Sequence, residues 1–364
     1  MNNIRINGGK ASELLVMGES INELRIDGVT VWKKEAAGTA TTSLMRDGLA
    51  PGSGLAGTVF MGTGLTRDQI ESVEVIHAAN PIEFLSASDY NGSPILHATD
   101  ISHPQSEDPA ITFYTAGDTA GLYKVYAAGV NGVAMSWNGA NFFRLLTNAQ
   151  YLDFTLLDVS RVTSFASMFN GTIQATSFGD LSSWDLSNAI SLNSMFNNCQ
   201  SLISIGDTSG WKTPNCETTA NMHLNNYALL ELDYSGFDTS KIVTMTSMFN
   251  SCRALESVGD LSGWDVSSCT TFGSMFLHCH SLQNLSVRGW DTTGADNISQ
   301  IFRNTNVLSS IDLSNWVIPT ATNQSNIFTG SGVNTAYVNT AEMQLWVQNA
   351  QGWTRVPPRE IIVA

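Results

Sequence analysis

The chain is 364 residues long, with 43% hydrophobic and 13% charged residues and a net charge of −15. That much apolar material supports a sizeable core, while a charged fraction well under the usual quarter leaves a surface rich in Ser, Thr, Asn and Gly, as in many extracellular and virion proteins. Strong negative charge disfavours nonspecific attraction to nucleic acid or anionic lipid, and no apolar run is long enough to span a bilayer. Neither nucleic-acid binding nor membrane insertion is expected.

Residues 1–35 read as a small β module: IRIN, ELLVMG, then LRID and VTVW around Asp27-Gly28, a strong hairpin signal. The opening segment lacks both a basic stretch followed by an apolar run and a small-residue cleavage site, so it is not expected to be a secretory signal. Residues 36–74 read as a connector, rich in Gly, Ala and Thr in its first part. Residues 75–156 read as a β-rich lead-in that caps the repeats which follow.

From 157 to 335 two ladders run in one period. Trp184, Trp211, Phe237, Trp264, Trp290 and Trp316 recur every 26 or 27 residues, in phase with Phe169, Phe196, His223, Phe249, Phe276, Phe302 and Phe328, each preceded by Met or Ile. A fixed period of this length marks coils that bury their apolar faces only by stacking. L-x-x-L elements such as Leu202 with Ile205 and Leu255 with Val258 suggest a short strand in each coil. Apolar residues three or four apart, as in Ile242, Met245, Met248 and Phe249, suggest a short helix opened by Asp-Thr-Ser or Asp-Leu-Ser. The expected fold is therefore an α/β repeat solenoid of the leucine-rich kind behind a small N-terminal β module, its strands forming one parallel sheet. Residues 336–364 would close the last coil.

The pattern V-T-x-M-x-x-M-F-x-x-C-x-x-L-x-x-x-x-D-L-S-x-W-D-x-S, stated almost in full by Lys241 to Ser267, resembles the BspA-like leucine-rich repeats of bacterial surface antigens, mycoplasma lipoproteins and some bacteriophage proteins. The resemblance covers roughly residues 75 to 350 and implies adhesion without catalysis. The expectation is a bacteriophage virion protein of tail-fibre or tail-tip type. Its N-terminal module would hold it to other virion proteins as a homo-oligomer, and its repeats would meet a host cell-surface receptor. The alternatives are a purely structural capsid decoration or tail collar protein, or an adhesin on a bacterial surface that binds host matrix protein.

Little in the chain points to chemistry. There is no Gly-rich phosphate loop and no nucleophile elbow, and the carboxylates offer no evident cleft for glycoside cleavage, so no enzyme is expected. His278-Cys279-His280 lacks the four placed ligands of a zinc site and reads as a buried thiol between two surface histidines. Asp180, Asp207, Asp233, Asp260 and Asp312 form one column, and Asp158, Asp185, Asp238, Asp265 and Asp291 a second. Both read as turn and helix caps, with calcium bridging as the alternative; no other cofactor is expected. Cys252 and Cys279 would stack about 5 Å apart, yet parallel Cβ directions favour reduced thiols. Where coils depart from the pattern, Lys212, Arg253, His278, His280, Arg288 and Arg303 stand out as candidate surface-recognition residues.

Overall fold

The computed structural model describes residues 65–101, 110–130, 132–135, 138–319, 322–350, 353 and 360–363, together with the backbone of five short strands nearer the N-terminus. Those five are β1 (Leu14–Val16), β2 (Glu19–Ile21), β3 (Glu23–Ile26), β4 (Val29–Lys33) and β5 (Ser43–Leu44). β1 pairs antiparallel with β2, and β3 with β4, so the strands flanking Asp27-Gly28 do pair. The two turn residues, the IRIN segment and most of the first part of the 36–74 connector, residues 36–64, lie outside the described residues.

A six-stranded mixed sheet comes next. It is built from β6 (Ile70–His77), β7 (Asp89–Tyr90), β8 (Ser93–Asp100), β9 (Ala110–Ala116) and β10 (Tyr123–Gly129), then β12 (Tyr151–Asp153), which follows the short β11 (Val133–Ala134). The order is β12-β6-β10-β9-β8-β7. β7 and β8 meet through Asn91 and Gly92, at φ 51° and 80°, the two positive values that a tight hairpin turn requires. Val73, Val75, Val125 and Ala127 are buried on its core face. β6 pairs in parallel with β12, and Asp153 of β12 stands 27 residues before Asp180. The sheet is thereby joined to the first repeat.

The α/β repeat solenoid expected from the sequence does not form. Among the described residues the one α-helix is α1 (Ala341–Asn349), which lies after the repeats. The segments that carry the Met-Phe pairs are runs of turns. Nor do the L-x-x-L elements assemble into one parallel sheet. Beyond the short β13 (Leu157–Asp158), the next strand is β14 (Ser310–Asp312), and between them successive coils touch through single parallel bridges. The described residues are mostly strand and turn, in several small sheets.

The hydrogen bonds explain why no helix forms. In the coil around Phe169, the N–H groups of Phe165, Ser167, Phe169 and Gly171 donate forward to Ser191, Asn193, Met195 and Asn197 of the next coil, at 2.8–2.9 Å. The alternate N–H groups of Met168, Asn170 and Thr172 turn back three residues, to Phe165, Ser167 and Phe169. A helix would need all of them to point back along the same segment. Ser167 and Gly171 have φ of 56° and 81°, and the same pair of positions is left-handed at Ser194 and Asn198, Asn221 and Asn225, Ser247 and Ser251, Ser274 and His278, and Gln300 and Asn304. Positive φ at the third residue of an i to i+3 turn gives type II geometry. Overlapping turns of this kind place apolar side chains three and four apart, the spacing that imitates a helix.

Side chains fill the space inside the turns. Phe143, Phe169 and Phe196 stack at 5.5 and 5.4 Å, and Trp264, Trp290 and Trp316 at 5.9 Å with planes within 6° of parallel. In Trp184, Trp211, Trp264, Trp290 and Trp316, Nε1 donates to a carbonyl of the preceding coil, as in Trp290 to Leu261 at 2.9 Å. Both ends of the stack are covered. At the start, Arg67 donates to the carbonyls of Phe142, at 2.9 Å, and Arg144. Their counterparts one coil later, Met168 and Asn170, accept from the preceding coil instead. Burial first, and then Arg144, lowers the Arg67 guanidinium to about 10. At the far end β14 pairs with β15 (Thr335–Val338), which pairs with β16 (Glu360–Val363), while Met343 and Val347 of α1 and Trp353 close the core.

Two outcomes follow for stability, both read by urea unfolding. Ser274→Gly is expected to cost nothing, whereas Ser274→Val, forced left-handed, should cost about 1–2 kcal/mol; a helical segment would instead lose about 1 kcal/mol to glycine. Arg67→Ala, by orphaning carbonyls that accept from a cation, should cost about 2–3 kcal/mol.

Candidate functional site

Each polar column in the sequence has a definite task, and most of those tasks are structural. In the first aspartate column Oδ1 of Asp180, Asp207, Asp233, Asp260 and Asp312 accepts the N–H of the residue two positions on, at 2.9–3.0 Å. Asp158, Asp185, Asp238, Asp265 and Asp291 do the same at 2.9–3.1 Å. The side-chain and backbone donors of Ser209, Ser240 and Thr293 hold Asp207, Asp238 and Asp291 below the usual carboxylate range, and for Asp260 the Ser262 N–H leads. Such bonds stabilise the charged form of these four carboxylates. Among the described residues no three His, Cys, Asp or Glu side chains gather as a metal site would need.

A third polar column escaped the sequence reading. Asn138, Ser164, Ser191, Thr218, Thr244, Thr271, Asn297 and Asn323 make the single parallel bridges between coils. Asn138 and Asn297 also accept an N–H two residues on, at 2.9 Å. Short side chains that bond their own backbone suit a turn that also pairs with its neighbour.

All five cysteines are buried free thiols. Cys199, Cys252 and Cys279 donate to carbonyls of the preceding coil, of Phe169, His223 and Phe249, at 3.0–3.2 Å. Cys252 and Cys279 are therefore stacked but unbonded to each other. Burial raises the Cys199 thiol to about 12 and Cys216 to about 11, which leaves almost no thiolate for chemistry.

The coil around His223 is the exception within the core. His223 replaces phenylalanine and stacks between Phe196 and Phe249, with centroids at 5.2 and 6.0 Å. Its Nε2 meets Tyr234 Oη at 2.6 Å, and its Nδ1 meets Asn226 Nδ2 at 3.1 Å. Tyr234 occupies the position of Leu261, and Asn226 that of Cys199 and Cys252. Three departures from the repeat within one coil are thus one buried hydrogen-bonded group, and their coincidence was the signal available in the sequence. Burial lowers His223 to about 3, so the ring is neutral at ordinary pH.

The six nominated surface residues divide into two kinds. Lys212 Nζ reaches the Gly236 carbonyl at 3.5 Å, and Arg288 stands 3.9 Å from Asp312. Arg253, His278, His280 and Arg303 instead come together across three consecutive coils. Arg253 lies 4.7 Å over the Tyr227 ring, the two histidine rings are 5.5 Å apart, and Arg303 donates to Gln300 Oε1 at 3.2 Å. Asn304 Nδ2 contacts His278 Nδ1 at 3.1 Å, and Asn306 contacts His280 at its Nδ1. Partial burial, then His280, Arg303 and Arg253, hold His278 below its ordinary value.

This arrangement defines a repeat protein whose interior is committed to stacking and whose outer columns differ from coil to coil. Residues 138–230 and 223–340 match the family described as "Mycoplasma protein of unknown function, DUF285", and the chain belongs to that family. No curated protein matches the chain in sequence.

The buried histidine sets a pH dependence. Its folded value lies below its unfolded value of about 6.5, so the unfolded chain takes up the extra proton and stability is lost as pH falls from about 6.5 toward about 3. Between pH 7.5 and pH 4.5 the loss through this group should be about 2–3 kcal/mol. The combined substitution His223→Phe, Asn226→Cys and Tyr234→Leu, which installs the residue types of neighbouring coils, should abolish that loss in urea unfolding.

Proposed function

We propose that the protein is a non-enzymatic virion protein of a bacteriophage, of tail-fibre or tail-tip type, with BspA-like repeats that contact a receptor on the host cell surface. In this reading residues 1–35 attach it to other virion proteins, it assembles as a homo-oligomer in the particle, and it acts outside the cell. The observation that carries the recognition role is the contrast between columns. The inward positions repeat Met, Phe and Trp, while one outward column reads Gln200, Tyr227, Arg253, His280 and Asn306. A rigid stack that presents a different side chain in each coil suits the reading of a large ligand. The low-charge polar surface agrees with an adhesive role, and both that role and the virion setting rest on the resemblance to BspA-like repeats.

Full-length chain added to intact cells of candidate host bacteria is expected to sediment with susceptible cells, and antibody to the chain should label purified particles. Particle labelling without cell binding would replace receptor recognition with a capsid-decoration or tail-collar role. Labelling of a bacterial envelope without particles would make the protein a cellular adhesin.

A further inference from the structure

The guanidinium groups of Arg253 and Arg303, with the His278 and His280 imidazoles in the coil between them, stand in a chain whose net charge is −15. Among the described residues none of them pairs with a carboxylate, although Lys124 and Arg288 do. Glu256, in the same coil as Arg253, is bonded instead by the Gln283 amide at 3.3 Å. Two guanidinium groups without a carboxylate counter-ion favour an anion that reaches both.

The neighbouring groups narrow the ligand. Asn304 donates to Nδ1 of His278, so Nε2 of the neutral ring carries its hydrogen. Gln300, Asn304 and Asn306 flank Arg303, His278 and His280 with neutral amides that can exchange hydrogen bonds with hydroxyl groups. Tyr227 carries Arg253 on its ring face, which fixes the guanidinium plane and leaves its forked donors for a carboxylate or sulfate. Guanidinium, imidazole, amide and phenol on one shallow face match a hydroxyl-rich molecule with an anionic group.

The geometry points to the face formed by Tyr227, Arg253, His278, His280 and Arg303 as a binding site for an acidic saccharide, engaged through its carboxylate or sulfate. The inference rests on the receptor-binding reading for where such a saccharide would be met, and on the side chains alone for the binding itself. Because the rest of the molecule is negative, short acidic saccharides are favoured over long polyanions.

The test uses the full chain in calorimetric titration at low salt with trigalacturonic acid, a sulfated heparin-derived tetrasaccharide, neutral maltotriose and hexaglutamate as probes. At least one charged saccharide should bind, maltotriose should not, and hexaglutamate should be at least tenfold weaker. Arg253→Gln and Arg303→Gln should each weaken saccharide binding about tenfold or more, with Arg288→Gln unchanged. The saccharide should also raise the NMR titration midpoints of His278 and His280, a readout that no folding defect imitates. Equal binding of maltotriose, tighter binding of hexaglutamate, no binding of either charged saccharide, or loss-free Arg253→Gln and Arg303→Gln variants would each overturn the proposal. If the soluble saccharide binds and Arg253→Gln still sediments with cells as before, the site stands and its role in receptor recognition falls.

Discussion

The structure depends on backbone N–H groups that reach forward to the next coil. At each Met-Phe position, alternate N–H groups leave the segment to bond a carbonyl 25 or 26 residues on, while the groups between them close short turns. That alternation needs two left-handed residues, four apart, in every coil. Ser, Asn and Gly hold most of these positions, with His278, Gln300 and Leu145 as the larger exceptions. The left-handed conformation costs an ordinary L-residue roughly 1–2 kcal/mol, and each coil accepts it twice in return for bonds that no isolated turn could make.

Given that geometry, the composition follows. A coil of turns leaves many N–H groups to satisfy at once, and aspartate, serine, threonine and asparagine do so with side chains short enough to reach their own backbone. The core meanwhile takes flat rings, because coils stacked at a strand spacing leave room for planes laid parallel. Charged residues have few places in such a design, which accounts for a charged fraction of only 13%. A buried thiol or histidine is accommodated only when a carbonyl or another polar side chain lies within the same coil or the one before. Cys279 on the Phe249 carbonyl and His223 between Tyr234 and Asn226 both meet that condition.

Much of this was legible in the sequence, and the failures have one origin. Recurrence of Trp184 through Trp316 showed the period and the stacking, and the aspartate columns could be assigned to backbone capping before any coordinates. Periodicity of side chains does not report the path of the backbone, however. Ile242, Met245, Met248 and Phe249 satisfy a helical spacing and also a chain of three-residue turns. The better clue was the polar residue just before each Met or Ile, at Ser194, Asn221, Ser247 and Asn326, where a helix interior has little use for it. The recognition patch was visible residue by residue but not as a group. Arg253 and His280 share a column, which could be read from their spacing, but Arg303 and His278 stand in different columns, and only the folded coils bring the charge of one to bear on the other.

Forward-reaching bonds also give the stack a direction. Along the Met-Phe edge every inter-coil N–H points toward the C-terminal end, so the peptide dipoles there add as they do in a helix and leave the first coil with uncovered acceptors. Arg67 sits at that negative end, where a cation would be placed at the end of a helix. The two ends are consequently not interchangeable. Along this edge, removing coils from the front would bare carbonyls and removing them from the back would bare N–H groups, while a coil duplicated in the middle would present one matched face to each neighbour. Length in such a protein can change by whole periods from within, while its termini stay as they are.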